Sequence, residues 1–253
     1  MLLEGKRVLI TGGAGGIGSA VAVGCAREGA DIAINHFGDA EKAGKIVARI
    51  ESLGRKAVAV EGDVAEPASA KAFVDGAVSA IGGVDIFVSN AGICPFHAFL
   101  DMPVETFERT MRVNLHGAYY MVQAAANHMV EQGKGGSIIA MSSISALVGG
   151  ELQTHYTPTK AGVLSLMQSC AIALGKHDIR CNALLPGVIL TDLNREYLND
   201  PARTSYFEGR IPIGRIGAPE DMVGPVLFFG SDLSRYVTGS ALLVDGGMFV
   251  NLQ

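Results

Sequence analysis

No run in the chain reaches the ~18 apolar residues of a membrane-spanning helix. Its first stretch, MLLEGKRVLITGG, sets Glu4, Lys6 and Arg7 where a signal peptide would keep an apolar core. A cytoplasmic protein with no membrane partner is the expectation. Basic residues are not in excess either. Lys plus Arg number 20 against 25 for Asp plus Glu, a net charge of −5, and the basic positions are scattered rather than gathered into a stripe. That balance argues against nucleic acid as a partner. Cysteine is sparse: Cys25, Cys94, Cys170 and Cys181 form no CxxC pair and lie in apolar contexts, the pattern of buried thiols rather than of disulfides or metal ligands. The six histidines show no HExxH or similar spacing, so no metal chemistry is expected. Internal repeats and low-complexity tracts are also missing.

What the chain does have is apolar material and an alternation of short and long segments. With 253 residues, 49% of them hydrophobic, and no shift of composition along its length, it reads as one domain over residues 1–253. The runs KRVLIT, DIAIN, AVAVEGD, VDIFVSN, GSIIAMSS, IRCNALLP and ALLVDGG are short and rich in Val and Ile, and longer helical segments separate them. This predicts an α/β fold, a doubly wound sheet of seven parallel strands with helices on both faces, because strands buried on both sides carry near-continuous apolar sequence. Residues 187–217 have no clear period and are rich in polar residues, Gly and Pro. A connection that long reads either as a functional lid over a substrate or as a pair of short surface helices.

Directly after the first run comes TGGAGGIG, residues 11–18, with five glycines in eight positions, followed by the helical run SAVAVGCAREGA. Gly12, Gly16 and Gly18 let the backbone turn sharply and approach a ligand, and the helix N-terminus that follows offers free N–H groups to a pyrophosphate. Placed between a strand and a helix, the loop is a dinucleotide site. The second run ends at Asn35, where an NAD-specific site carries an acid for the ribose hydroxyls. Asn35 is neutral, and neither His36 nor Phe37 is an Arg or Lys that would claim a 2′-phosphate, so the expectation is use of both NAD and NADP.

TGGAGGIG, GDV at 62–64, NAG at 90–92, Asn114 in VNLHG, Ser143 in SSIS, the Tyr156 and Lys160 pair, and PGVILT at 186–191 stand in order along the chain. Together they resemble the short-chain dehydrogenase/reductase family over essentially its whole length. The resemblance implies a Rossmann-type fold and a homotetramer. It places Gly12, Gly15, Gly16, Ile17 and Gly18 at the cofactor phosphates, Asn35 at the ribose, Asp63 and Val64 beside the adenine, and Asn90, Ala91 and Gly92 under the cofactor. Pro186, Gly187, Ile189 and Thr191 would hold the nicotinamide end.

Tyr156 and Lys160 lie four positions apart in THYTPTKAG, where Pro158 is tolerable only in a first helical turn. They should therefore stack on one face at a helix start. A phenol with an ordinary pKa near ~10 is a poor base at neutral pH, and a neighbouring ammonium is expected to lower it. Removal of hydride from a carbinol carbon needs such a base for the hydroxyl proton. Ser143 could donate to the same substrate oxygen. By resemblance, Lys160 also holds the nicotinamide ribose, and Asn114 anchors a proton-relaying water. A Tyr, a Lys or a Ser pair at these places is ordinarily packing, a solvated side chain or a cap; the glycine loop and Asn114 beside them reverse that reading.

Three functions compete. INHFGDAEKA, NAGICPFHAFLDMP, SSISALVGGELQTHYTPTKAG and LLVDGGMFVNLQ are similar to bacterial aldose 1-dehydrogenases that act on a 6-deoxy sugar such as L-rhamnose. That likeness implies oxidation of an anomeric hydroxyl to a lactone with NAD(P). Ser143, Tyr156, Glu151, Gln153, Thr191, Asn194 and Arg195 would meet the sugar, and Phe99 would supply an apolar wall. The second reading is a 3-ketoacyl (carrier protein) reductase, for which Arg195, Arg203 and Arg210 would form a basic patch. The third is a dinucleotide sensor without turnover, against which the complete set of Ser143, Tyr156 and Lys160 argues.

Overall fold

The computed structural model describes residues 1–251; the last two residues, which end the stretch LLVDGGMFVNLQ, lie outside the described residues. The order of elements is β1 (Arg7–Ile10), α1 (Gly16–Arg27), β2 (Asp31–His36), α2 (Ala40–Glu51), β3 (Ala57–Glu61), α3 (Pro67–Ile81) and β4 (Ile86–Ser89). It continues through α4 (Val104–Met111), α5 (Gly117–Gln132), β5 (Gly136–Met141), α6 (Thr157–Leu174), β6 (Ile179–Pro186), α7 (Arg195–Leu198), α8 (Pro201–Arg210), α9 (Val223–Gly230) and β7 (Ala241–Val244). Six of the strands fall within one of the seven Val- and Ile-rich runs, and β2 extends one residue past DIAIN to His36.

All seven strands are parallel, in the order β3-β2-β1-β4-β5-β6-β7. Alternate strand residues feed two cores. Leu9, Phe87, Ile138 and Ala183 pack with α3, α5 and α6 on one face. Val8, Ile10, Val88 and Ile139 pack with α1, α2 and α9 on the other. This two-sided burial is why the strands are apolar at nearly every position. The strand order reverses between β1 and β4, and in an open parallel sheet a ligand crevice forms at that reversal, beyond the carboxyl ends of the strands. Among the described residues no helix is long and apolar enough to cross a membrane.

Two local features shape the site. Between α4 and α5 the helix widens into a π-turn over Arg112–His116, and Asn114 sits in it, buried. Of the two alternatives for the segment 187–217, the structure shows the short helices, α7 and α8. The segment closes at its base, where Ile189 bridges Gly217 and Leu190 N donates to Gly217 O at 2.9 Å.

Candidate active site

A cavity of about 910 Å³ opens at the carboxyl ends of the strands. Its floor begins with the glycine loop, of which Gly12, Gly15, Gly16 and Ile17 line the space. Gly12 has φ +65°, and a Cβ there would lie 3.0 Å from Ala91 Cα. Gly18 does not face the cavity. A Cβ on it would stand 2.2 Å from Gly12 O, so its work is to let α1 pack directly against the turn before it. The residues of the next β-to-α turn are tied to this loop by Thr11, a buried residue that the sequence reading did not single out. Its Oγ1 accepts hydrogen bonds from Asn90 N at 2.9 Å and Ala91 N at 3.0 Å, while Asn90 Nδ2 donates to Thr11 O and Gly12 O. Asn90, Ala91 and Gly92 all line the cavity. At the far side Pro186, Gly187, Ile189 and Thr191 line it too, and Thr191 lies close to Gly16.

Asn35, Asp63 and Val64 line the end of the cavity below β2 and β3. Asn35 Nδ2 donates to Gly62 O at 2.8 Å, which leaves its Oδ1 as a neutral acceptor for a ribose hydroxyl. Asp63 is paired with Arg109 at 2.8 Å; burial opposes its ionisation, but that guanidinium and the Ala65 N–H hold its carboxyl below the usual range. The surfaces thus fit an extended dinucleotide: close backbone at the phosphates, unbranched space under the rings, and a hydrogen-bond acceptor at the ribose. An Asn35→Asp variant is expected to shift preference toward NAD by repelling a 2′-phosphate. The same change places a carboxylate against Gly62 O, where Asn35 donates, so melting temperature should also fall. Cofactor titrations together with thermal melts check both halves.

The catalytic candidates converge on the middle of the cavity. Tyr156 caps the N-terminus of α6, with Pro158 in the first turn as its geometry requires. Lys160 is one turn on and buried. Its Nζ donates to Met141 O at 2.8 Å and lies 5.5 Å from the Tyr156 ring centroid. Ser143 stands two residues beyond β5 and lines the cavity beside Tyr156. The expected lowering of the Tyr156 pKa by the ammonium is corrected here. Burial raises the phenol above its ordinary value, the adjacent Cys94 adds to the rise, and Ser143 pulls in the opposite direction. Burial also brings Lys160 down to about 8, with Nζ over the Tyr156 ring at 5.5 Å from its centroid. Asn114 lies behind this group. Its Oδ1 accepts from Ile93 N and its Nδ2 donates to Ile93 O, both at 2.8 Å, with a longer bond to Thr159 Oγ1.

The substrate side departs from the sequence reading in several places. Glu151, Gln153 and Thr191 line the cavity as expected, and Gln153 Nε2 donates to Cys94 Sγ at 3.3 Å. Asn194 lines it as well, but its amide braces the turn, donating to Ile189 O and accepting from Thr191 N, each at 2.9 Å. Arg195 points away and pairs with Asp192 at 3.5 Å. Phe99 is 69% exposed and borders a separate shallow hollow with Met102, Val104, Phe107, Thr154 and His155. The apolar wall of the main cavity is instead Phe96, three residues earlier, stacked on Tyr197 of α7 with ring centroids 4.4 Å apart. The Arg203 guanidinium covers the same tyrosine at 4.3 Å. Phe207 completes the cluster against Tyr197. Only the position of α7 over the cavity could have pointed to Phe96 and Tyr197.

Comparison with known proteins places this geometry. Residues 12–249 match a family model described as enoyl-(acyl carrier protein) reductase. The chain is 66% identical to an L-rhamnose 1-dehydrogenase (NAD(P)(+)) of Sphingomonas sp., with 100% of this chain and 99% of that one covered. It is 57% identical to a protein of the same name from Azotobacter vinelandii, covering 100% of both. A 3-oxoacyl-(acyl-carrier-protein) reductase of Staphylococcus aureus is more distant, 35% identical over 97% of this chain and 98% of that one. Among solved structures, a gluconate 5-dehydrogenase from Burkholderia cenocepacia in complex with NADP and tartrate superposes with a TM-score of 0.93 at 35% identity, covering 98% of this chain and 96% of that one. A family model matched over residues 12–249 and relatives 35–66% identical over nearly the whole chain settle the family: the chain belongs to the short-chain dehydrogenase/reductase family.

Proposed function

We propose that this chain oxidises the anomeric hydroxyl of a 6-deoxy aldose, L-rhamnose foremost, to the corresponding lactone with NAD(P). The observation that carries this reading is the pairing of the Tyr156, Lys160 and Ser143 cluster with a cavity whose other wall is part polar, through Glu151 and Gln153, and part aromatic, through Phe96. A sugar ring with one methyl group needs both. Full-length identity of 66% to an L-rhamnose 1-dehydrogenase supports the same substrate class.

When bound, the oxidised nicotinamide supplies a hydride acceptor and a positive charge to the cleft. The protein's part is to hold and move a proton. Ser143 orients the anomeric oxygen, and the Tyr156 oxygen, once its own proton has left, takes the proton from that hydroxyl as C1 becomes a carbonyl. Burial raises the phenol above its ordinary value, which favours its protonated form. Lys160, whose ammonium is brought down to about 8, is poised to exchange protons near neutral pH. Asn114 fixes the 90–93 segment through Ile93, and the second lone pair of its Oδ1 is left for a relay water.

The carrier-protein reductase reading has weaker support. Arg195 and Arg203 each lie 3.5 Å from a neighbouring aspartate, and Arg210 donates to Asn251 O at 3.1 Å, so the three do not stand as a bare basic patch. The 3-oxoacyl-(acyl-carrier-protein) reductase of Staphylococcus aureus is also only 35% identical to this chain. The working form in this reading is a cytoplasmic homotetramer; exposed apolar side chains on α5 and α6, Tyr119 and Ile172, and on the edge strand β7, Leu242, support the association of copies.

The test is a panel of aldoses, secondary alcohols and acetoacetyl thioesters with each cofactor. L-rhamnose or a close 6-deoxy relative is expected to exceed simple alcohols by a factor on the order of 10² or more, because buried hydrogen bonds to ring hydroxyls discriminate strongly. Rapid reduction of acetoacetyl thioesters with no aldose oxidised would replace this reading with the reductase.

A further inference from the structure

We propose that Cys94 and Gly150 are positioning residues for substrate choice: together they seat the carboxamide of Gln153 in one orientation, and that seat decides which pattern of ring hydroxyls is held beside Tyr156. The assignment rests on the aldose reading above. It gives work to two residues that have none in that reading.

Cys94 belongs to the segment that leaves β4, and its main chain is fixed on both sides. Ile93, just before it, is held through N–H and carbonyl by Asn114. His97, just after it, donates from N to Leu152 O at 3.1 Å, which ties this segment to the turn ahead of α6. The thiol lines the cavity, is 9% exposed, and accepts from Gln153 Nε2 at 3.3 Å. Burial raises its pKa, so it stays neutral and serves as a weak acceptor rather than as a charge. This bond takes one proton of the carboxamide. An N–H and the carbonyl oxygen are left for a ligand, a donor and an acceptor side by side, which is what a ring hydroxyl meets best.

Gly150 shapes the other side of the seat. A Cβ there would collide with Gln153 Oε1 and stand 3.1 Å from that residue's Cβ. The backbone of Gly150 lies outside the left-handed region, so what glycine contributes is room for the carbonyl end of the amide.

Gln153 is also joined to the base. Its backbone oxygen accepts from Tyr156 N and Thr157 N, both at 2.9 Å, at the start of α6. One residue therefore carries, on its main chain, the turn that places the phenol and, on its side chain, a group for the sugar. A long carboxamide free to rotate would lose that freedom each time a sugar bound. Held by a thiol and a gap, it meets the ring already ordered, and a wrongly placed hydroxyl finds no second orientation to pair with.

The experiment measures kcat and KM of the full chain for L-rhamnose, for its epimers at single ring carbons and for an analogue lacking one ring hydroxyl, with the dinucleotide saturating. Cys94→Ala is expected to raise KM for L-rhamnose about three- to tenfold, the range of one neutral hydrogen bond, to change kcat less, and to lower discrimination against the epimers by a similar factor. Cys94→Ser, whose hydroxyl also accepts, should restore most of both. Gly150→Ala should lower discrimination in the same way while the melting temperature stays near wild type, because the atom in the way is the far end of a flexible side chain; it keeps the test standing if Cys94→Ala fails to fold. Dinucleotide affinity should be unchanged in all three. Variants that keep the wild-type KM and discrimination overturn the assignment and leave the aldose reading intact. A fall in kcat at unchanged KM, with a shifted pH profile, would place the thiol with Tyr156 and overturn it too. A wild type that oxidises no aldose overturns the aldose reading itself, so the two failures are told apart.

Discussion

Replacing Tyr156 by Phe is expected to lower turnover by a factor on the order of 10² to 10⁴, the usual contribution of a positioned general base, while a dinucleotide still binds. The change removes one oxygen and keeps the ring, so the contact of the Lys160 ammonium with the ring face, at 5.5 Å, persists. The backbone bonds that start α6, Thr159 N and Lys160 N to Tyr156 O, are untouched. Steady-state rates with the best aldose of the panel, set beside the dinucleotide affinity from fluorescence titration, separate chemistry from binding. Activity within a few fold of wild type would remove Tyr156 from its role. A parallel loss of dinucleotide affinity would instead make the hydroxyl a binding contact.

Asn114→Ala should be nearly as damaging, for a different reason. The side chain satisfies both backbone groups of Ile93 from inside the π-turn, two bonds of 2.8 Å formed by a residue that is 1% exposed. Alanine leaves both groups without a partner, at about 1–3 kcal/mol each, so the melting temperature is expected to fall by roughly 5–15 °C. The 90–93 segment would also lose its brace and with it the alignment of Gly92 in the cavity lining, which should remove most turnover. Asn114→Asp keeps the acceptor for Ile93 N and loses the donor to Ile93 O, so it should fall between the two in a thermal melt. An alanine variant that melts like wild type would show that the brace is dispensable.

The sheet was legible in the sequence because each of its strands is buried on both faces, and two-sided burial leaves the same mark, near-continuous Val and Ile, wherever it occurs. Tyr156 and Lys160 were legible because Pro158 fixes where α6 can start. The pKa of the tyrosine was not. Four residues of spacing say that two groups share a face, but they do not say that Nζ rests beside the ring and reaches Met141 O. The substrate wall was misread at Phe99 for a similar reason. Phe96 and Phe99 lie in one irregular stretch, and which of them turns inward depends on Tyr197, which stacks on Phe96 from another part of the chain. Asn194 and Arg195 were expected in the pocket because they stand on the right segment. Asn194 does line the cavity but spends its amide on Ile189 O and Thr191 N, and Arg195 is not among the lining residues and pairs locally with Asp192.

The bridge between Ile189 and Gly217 has a consequence for how such a protein changes over generations. The two ends of the 187–217 segment meet just beyond β6 and are joined there by backbone bonds, Leu190 N to Gly217 O and Gly217 N to Val188 O, each 2.9 Å. Whatever lies between those ends is an insert whose length and side chains can vary without moving a strand, since extending a closed loop costs little additional entropy. Selection for a new substrate can therefore act on an exchangeable cassette while the proton-handling residues on β5 and α6 stay as they are. Transplanting the segment between relatives, with the two bridge residues kept, should carry substrate preference along with it.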